Sequence, residues 1–223
     1  MNQPLQLIDL NKKLDTLHQM HGDPMYSSIY GAGKIDKPHI FLIFMNPTAR
    51  NVSAKKDWQG LRAPWIGTKD VWRMLFYLGL FSNETLMYKI KAIKPDKWDK
   101  TLALQIYNCI AQKDVYITNI AKCTQADARA LPNSVFRSYL PTMLEEIERI
   151  KPKNIITFGN QVSSILLSKP ISVSNYINDE VEKLLIGDKE FNVYPTYYPV
   201  GQGMRNMPKA INRIKRIISN QSF

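Results

Sequence analysis

Two amides stand where apolar runs stop. Asn46 follows the run Ile40 to Met45 and precedes Pro47, and Asn119 ends the run Val115-Tyr116-Ile117-Thr118. Each run reads as a buried strand that closes on a turn or polar residue. Both asparagines therefore fall at the carboxyl ends of strands, where α/β proteins carry their chemistry. An amide offers one hydrogen-bond donor group and one acceptor, so such a site works by orienting and recognising. Trp65 follows in Arg62-Ala63-Pro64-Trp65-Ile66-Gly67, and a Gly201-Gln202-Gly203 loop precedes Met204-Arg205. Taken singly, each has an ordinary explanation. Asn-Pro is a common turn dipeptide, a strand-end Asn satisfies backbone groups, a Trp fills a core, and paired glycines make a turn. Their joint order along the chain carries the weight.

Other chemistries find less support. His18 and His21 have helical spacing for a metal pair, but no third ligand lies nearby. Ser163 and Ser164 lack a histidine base in any neighbouring block. Glu145, Glu146 and Glu148 read as a solvated helix face. Two cysteines, Cys109 and Cys123, make neither a disulfide framework nor a metal set. No metal and no cofactor are expected.

The elements that must position these residues are legible from periodicity. Leu5, Leu7, Leu10, Leu14 and Leu17 mark a helix over 4–20, ended by Gly22-Asp23-Pro24. A strand is expected over 39–45, a helix over 69–80 with Val71, Trp72, Leu75 and Leu78 on one face, and a helix over 84–92 capped from Ser82-Asn83. A helix over 98–112 leads to a strand over 114–120. Helix 134–150 contains Pro141, which kinks or divides it. Strand 153–158 stops at Gly159, where helix 160–168 begins, and Gly187-Asp188 turns a hairpin into strand 190–196. A basic helix over 207–219 closes the pattern. Tyr30-Gly31-Ala32-Gly33 reads as a flexible turn, and the lysine-rich stretch 89–100 as a solvated connection. Strands alternating with helices predict a single α/β domain over 1–223: a three-layer α/β/α sandwich around a central, mostly parallel four-stranded sheet. Asn46, Asn119, Gly159 and Thr196 should then converge on one edge.

Bulk composition narrows the partner. Of 223 residues, 44% are apolar, enough for one sizeable core. No apolar run approaches the ~20 residues of a membrane span. The stretch MNQPLQLIDLNKKLD has no charged lead into an apolar segment, so no secretory signal is expected, and a reducing cytoplasm is the expected compartment. Thirty Lys and Arg against nineteen Asp and Glu leave a net charge of +11, which favours a polyanion. Four Trp and eleven Tyr add stacking surfaces suited to nucleic acid.

In this order the blocks resemble the uracil-DNA glycosylase superfamily, and within it the thermostable iron–sulfur group. The likeness runs from about Tyr30 to Arg216. Ile43-Phe44-Met45-Asn46-Pro47-Thr48 resembles the family's Gly-x-(Asp, Asn, Glu or Ala)-Pro motif, with Phe44 where Gly is usual. Ala63-Pro64-Trp65-Ile66-Gly67 is similar to its Pro-Phe-Val-Gly block, and Thr118-Asn119-Ile120-Ala121-Lys122 to its Thr-Asn-x-x-Lys. The stretch IKPKNIITFGNQVSSILL is similar to its Lys-Pro-x-x-Ile-x-x-x-Gly entry into a helix. Thr196-Tyr197-Tyr198-Pro199 and the loop to Arg205 resemble its Thr-x-His-Pro-Ser-x-x-x-Arg insertion loop. The resemblance implies a catalytic pair in which Asn46 positions water and Tyr198 stands for the motif histidine. It implies base contact by Trp65, Asn119 and Met45, and DNA contact by Gly201, Gln202, Gly203, Met204 and Arg205.

Two departures stand out. The iron–sulfur group needs four cysteines, whereas here only Cys123 occupies such a position and Tyr139 stands at the next. Tyr198 replaces the histidine, and Tyr197 is the neighbouring alternative for the residue that faces the site. The expected function is hydrolysis of the N-glycosidic bond of uracil or a related deaminated base in single- or double-stranded DNA, by a monomer, through base flipping. The alternatives are a nucleic-acid-binding relative with weak or lost chemistry, and processing of a free nucleoside. Arg205 and the basic face of the last helix, Lys209, Arg213, Lys215 and Arg216, are expected to hold phosphates.

Overall fold

The computed structural model describes residues 7–219. Its centre is β2 (Ile40–Phe44), five residues buried on both faces. That burial explains the unbroken apolar run, since a strand covered on both sides needs no polar alternation. β3 (Val115–Asn119) and β4 (Asn154–Phe158) flank it in parallel, and β6 (Lys189–Thr196) extends the sheet beyond β4. Two antiparallel edges complete six strands: β1 (Ala32–Gly33) on β3 and β5 (Glu182–Ile186) on β6. The four-stranded expectation thus describes the parallel core, and the structure corrects it at both edges. A two-residue strand carries no periodicity, so β1 reads as a turn in sequence. The hairpin between β5 and β6 forms at Gly187, whose positive φ of 59° suits a tight turn.

Alternation along β2 sorts the core into two layers. Ile40, Leu42 and Phe44 face α2 (Asp70–Tyr77), α3 (Glu84–Ala92), α4 (Lys100–Ala111) and α7 (Met207–Ser219). Phe41 and Ile43 face α1 (Ile8–His21), α5 (Asn133–Ile150) and α6 (Asn160–Leu166). This is the expected three-layer sandwich. The Leu5 position of the expected first helix lies outside the described residues. α2 stops at Tyr77, short of the expected end, ahead of Gly79 with φ of 73°. α3 and α4 start from side-chain caps: Asn83 accepts from the Leu86 amide at 2.9 Å, and Asp99 from that of Leu102 at 2.7 Å. Pro141 divides nothing, and α5 runs unbroken for 18 residues. Among the described residues no helix is long and apolar enough to cross a membrane.

Register brings the strand exits together. Phe44 pairs with Asn119, and Phe158 with Thr196. Beyond the strands the pairing continues as single bonds. The amide of Ile120 donates to the Phe44 carbonyl at 2.8 Å and that of Ala121 to Met45 at 3.1 Å. The Gln125 amide donates to Pro47 at 3.1 Å, and that of Gly159 to Thr196 at 2.7 Å.

Candidate active site

Phe44 is the ring on which two of the expected site residues, Trp65 and Tyr198, meet. It is fully buried and stacks on Phe158, with ring centres 4.3 Å apart. The Trp65 ring meets Phe44 edge-on at 4.9 Å, and the Tyr198 ring does so at 6.2 Å. Asn46 follows two residues later, and Asn119 is the register partner of Phe44. Trp65 and Tyr198 therefore meet on one ring, and Asn46 and Asn119 leave the two paired strands beside it, although the four come from separate segments. Two surface grooves of about 290 Å³ and 680 Å³ lie elsewhere, the first beside Trp58 and Trp98 and the second between α3 and α4.

Each residue is set by its own local chemistry. The half-buried Asn46 donates from Nδ2 to the Pro47 carbonyl at 3.1 Å, a bond that engages its nitrogen and not its oxygen. Trp65 sits at φ of 66°, a left-handed conformation that costs a bulky residue roughly 1–3 kcal/mol. Its segment is pinned to hold that strain. The Ala63 carbonyl accepts from Asn51 Nδ2 at 2.7 Å, and that of Pro64 from the Tyr107 hydroxyl at 2.5 Å. The Trp65 carbonyl accepts from Thr68 Oγ1 at 2.8 Å and Trp72 Nε1 at 3.1 Å, and that of Ile66 from the Val52 amide at 2.9 Å. The Trp65 indole N–H itself is buried and has no partner among the described residues.

Tyr198 follows β6 between two glycines. A Cβ at Gly203 would lie 2.1 Å from the Tyr198 carbonyl, so only glycine lets the following loop fold back this closely. Burial pushes the Tyr198 phenol well above its ordinary pKa, so its hydroxyl stays a donor throughout the neutral range. The neighbouring Tyr197 faces the other way, with the Lys209 ammonium 5.1 Å above its ring. Of the two tyrosines, Tyr198 thus faces the Phe44 cluster. Asn119 is buried, and its side-chain amide makes no hydrogen bond among the described residues.

Met45 does not join this group. Strand alternation turns its side chain toward the opposite layer, where it packs against the cluster of α1, α5 and α6, and its carbonyl holds the Ala121 amide. The glycine loop forms a 3-10 turn over Gly201–Asn206 that leads into α7. Gly201 has φ of 58°, Met204 is 40% exposed and Arg205 is exposed, while the Gln202 side chain lies outside what is described.

The basic face of α7 needs correction. Arg213 is buried, donating to the carbonyls of Pro195 at 2.8 Å and Glu180 at 2.7 Å, to the Glu180 carboxylate at 3.0 Å and to the Asn178 carbonyl. Arg216 is engaged with the Asn178 side chain. Both tie α7 to the 176–181 segment, whereas Lys209 and Lys215 remain exposed.

An iron–sulfur cluster does not fit these residues. The two cysteines lie on opposite faces of the sheet, Cys123 buried beside Tyr139 and Cys109 against the other layer. Burial pushes the Cys123 thiol up, away from the thiolate that a metal requires. His18 Nε2 lies 3.0 Å from the Tyr26 carbonyl, and the His21 ring lies 6.2 Å from that of Tyr139. No group of three or more His, Cys, Asp or Glu suited to a metal occurs among the described residues.

Sequence reasoning missed two residues. Glu146, assigned to a solvated face, is buried and paired with Lys122 at 2.7 Å directly beneath Asn119. A heptad-like face count cannot reveal a carboxylate that turns inward to a partner on another element. The lysine in Thr118-Asn119-Ile120-Ala121-Lys122 was the available signal.

The family described as the Uracil DNA glycosylase superfamily matches residues 30–218. A curated protein, the Type-4 uracil-DNA glycosylase of Saccharolobus solfataricus, is 29% identical over 97 residues. That alignment covers 40% of this chain and 43% of the relative, less than half the length of either.

Proposed function

Because this chain belongs to the uracil DNA glycosylase superfamily, we propose that it hydrolyses the N-glycosidic bond of uracil, or of a related deaminated base, in DNA. The observation that carries the reading is the meeting of Trp65 and Tyr198 on Phe44, beside the paired strand exits that carry Asn46 and Asn119. Breaking this bond builds positive charge on the sugar and negative charge on the departing base. Donors aimed at the base oxygens therefore do most of the work. The oxocarbenium-like sugar is a strong electrophile, so Asn46 needs only to orient a water through its free oxygen.

The target base must first leave the stack, at a cost of a few kcal/mol. Stacking on Trp65 returns about 1–3 kcal/mol. Asn119 presents a donor and an acceptor that match the O4 and N3–H of uracil and mismatch cytosine. The Tyr198 hydroxyl donates to a base oxygen as charge develops there. Met204 enters the duplex as an apolar wedge, and Arg205 and Lys209 meet phosphates.

The test is a uracil-containing oligonucleotide followed by alkaline cleavage of abasic sites. Absence of scission on uracil, hypoxanthine and xanthine, in single and double strands, would sink the reading. Asn46→Ala should reduce turnover by about 10²-fold or more while leaving uracil-DNA binding within a few-fold.

The Tyr198 substitution supports one second reading, a DNA-binding relative with lost chemistry. Preferential binding of uracil-DNA without turnover, together with activity gained in Tyr198→His, would favour it.

A further inference from the structure

Beneath Asn119 lies a closed ionic network. The Lys122 ammonium has three donors and uses all of them: Thr118 Oγ1 at 2.5 Å, the Asn119 carbonyl at 2.5 Å and Glu146 Oε2 at 2.7 Å. The other carboxylate oxygen of Glu146 accepts from the Tyr116 hydroxyl at 2.8 Å and from Thr118 Oγ1 at 3.0 Å. The side chains of Lys122 and Glu146 are only 1% and 3% exposed. The fold makes room for the pair, because a Cβ on Gly31 would fall 2.5 Å from the Glu146 carboxylate and 2.2 Å from the Tyr116 hydroxyl.

Stability alone does not explain such a network. A buried ion pair pays heavy desolvation, and apolar residues of similar volume are often as stable or more so. Position offers a reason. The strand ladder ends at Asn119, and the one carbonyl that the ammonium grips is that of Asn119. Gripping it fixes the plane of the peptide bond between Asn119 and Ile120. The Ile120 amide, the other half of that peptide, donates to the Phe44 carbonyl and the next amide, Ala121, to that of Met45, so both polar groups of the peptide are held. The Asn119 side chain itself has no hydrogen bond among the described residues, so its direction depends on this backbone.

We propose that Lys122 and Glu146 are positioning residues that aim the Asn119 amide at the base, with Thr118 as the relay between them. Neither touches the substrate. They keep Asn119 aimed without occupying the donor and acceptor that it must present, which a direct bond to the amide would do. The role as a base reader rests on the proposed glycosylase function, whereas the mechanical coupling does not.

The experiment compares wild type, Asn119→Ala, the paired variant Lys122→Met/Glu146→Gln and the triple variant that combines them. The paired variant removes both charges together and keeps an oxygen for Tyr116 and Thr118. It should melt within a few degrees of wild type, yet single-turnover excision of uracil should slow by about 10²-fold, the scale expected of a misplaced contact. The triple variant should be no slower than Asn119→Ala, because the network acts through that amide. Multiplying losses in the triple variant would overturn the proposal and leave a structural ion pair.

If wild type excises no base, the function has failed, and the coupling is read instead from the Asn119 side-chain amide resonance. That signal should shift and broaden in the paired variant, and an unchanged signal would overturn the coupling. Should the paired variant not fold, Thr118→Val, which keeps both charges, takes its place with the same readouts and a smaller effect in the same direction.

Discussion

Two clusters lie on opposite faces of the sheet toward its carboxyl edge, linked through the pairing of Phe44 with Asn119. In the ionic one, Tyr116, Thr118, Lys122 and Glu146 satisfy one another, and every ammonium donor has an acceptor. In the aromatic one, the Trp65 indole N–H and the Thr196 hydroxyl are buried without partners among the described residues. An unmatched buried polar group costs about 1–3 kcal/mol, so it persists only where something else compensates. The first cluster is complete in the folded chain, whereas the second leaves two buried polar groups unmatched among the described residues, and on the proposed function it is the second that receives the base.

The largest test of that contrast strands a charge. Lys122→Met alone leaves Glu146 buried without its cation and should cost about 3–5 kcal/mol in denaturant unfolding. Tyr198→Phe should change stability by less than about 0.5 kcal/mol, since its hydroxyl supports nothing in the fold. Similar losses from the two variants would erase the distinction.

Next in size is turnover. Tyr198→Phe should slow base excision by about 10²–10³-fold, the usual effect of deleting one donor to a developing anion. An unimpaired Tyr198→Phe enzyme would remove Tyr198 from the reaction.

The two arginines around α7 sharpen the same contrast between holding and receiving. Arg213→Ala unties Pro195 and Glu180 and should lower stability by about 1–3 kcal/mol with the salt dependence of DNA binding unchanged. Arg205→Ala should leave stability alone and reduce the slope of log affinity against log salt by about one.

The smallest effect is in pH. Tyr198 has its folded pKa raised by burial, so the protonated state is favoured by folding. Its contribution to stability is full below about 10, the unfolded value, and declines as pH climbs from there toward the folded value. The stability of wild type should therefore fall more steeply above pH 10 than that of Tyr198→Phe. Excision should show no alkaline limb from this residue near pH 10. A limb at that pH, absent in the phenylalanine variant, would show the phenol titrating freely.

Much of this was legible before folding. The parallel strands were visible because doubly covered strands are continuous apolar runs, and Asn46 and Asn119 were visible because such runs must end on something polar. The edge strands were harder to see for the opposite reason: β1, two residues long, read as a turn, and β5, which leaves Leu185 in solvent, was implied only as the first arm of the hairpin at Gly187-Asp188. Glu146 and Arg213 were misread alike. Each lies on a helix rich in charge, and periodicity reports which face turns inward on average without naming the charge that follows it.

By itself, then, the amino-acid order determined the layer count, the parallel core and the positions along the chain at which amides and aromatics interrupt them. Those properties follow from local periodicity and from the need to end a buried strand. Tertiary structure alone decided that Phe44, and not Met45, faces Trp65 and Tyr198, that Tyr198 rather than Tyr197 joins them, and that Lys122 finds Glu146. A buried charge or an edge-on ring is set by its partner on another element, and sequence spacing holds no record of that partner until the chain has closed on itself.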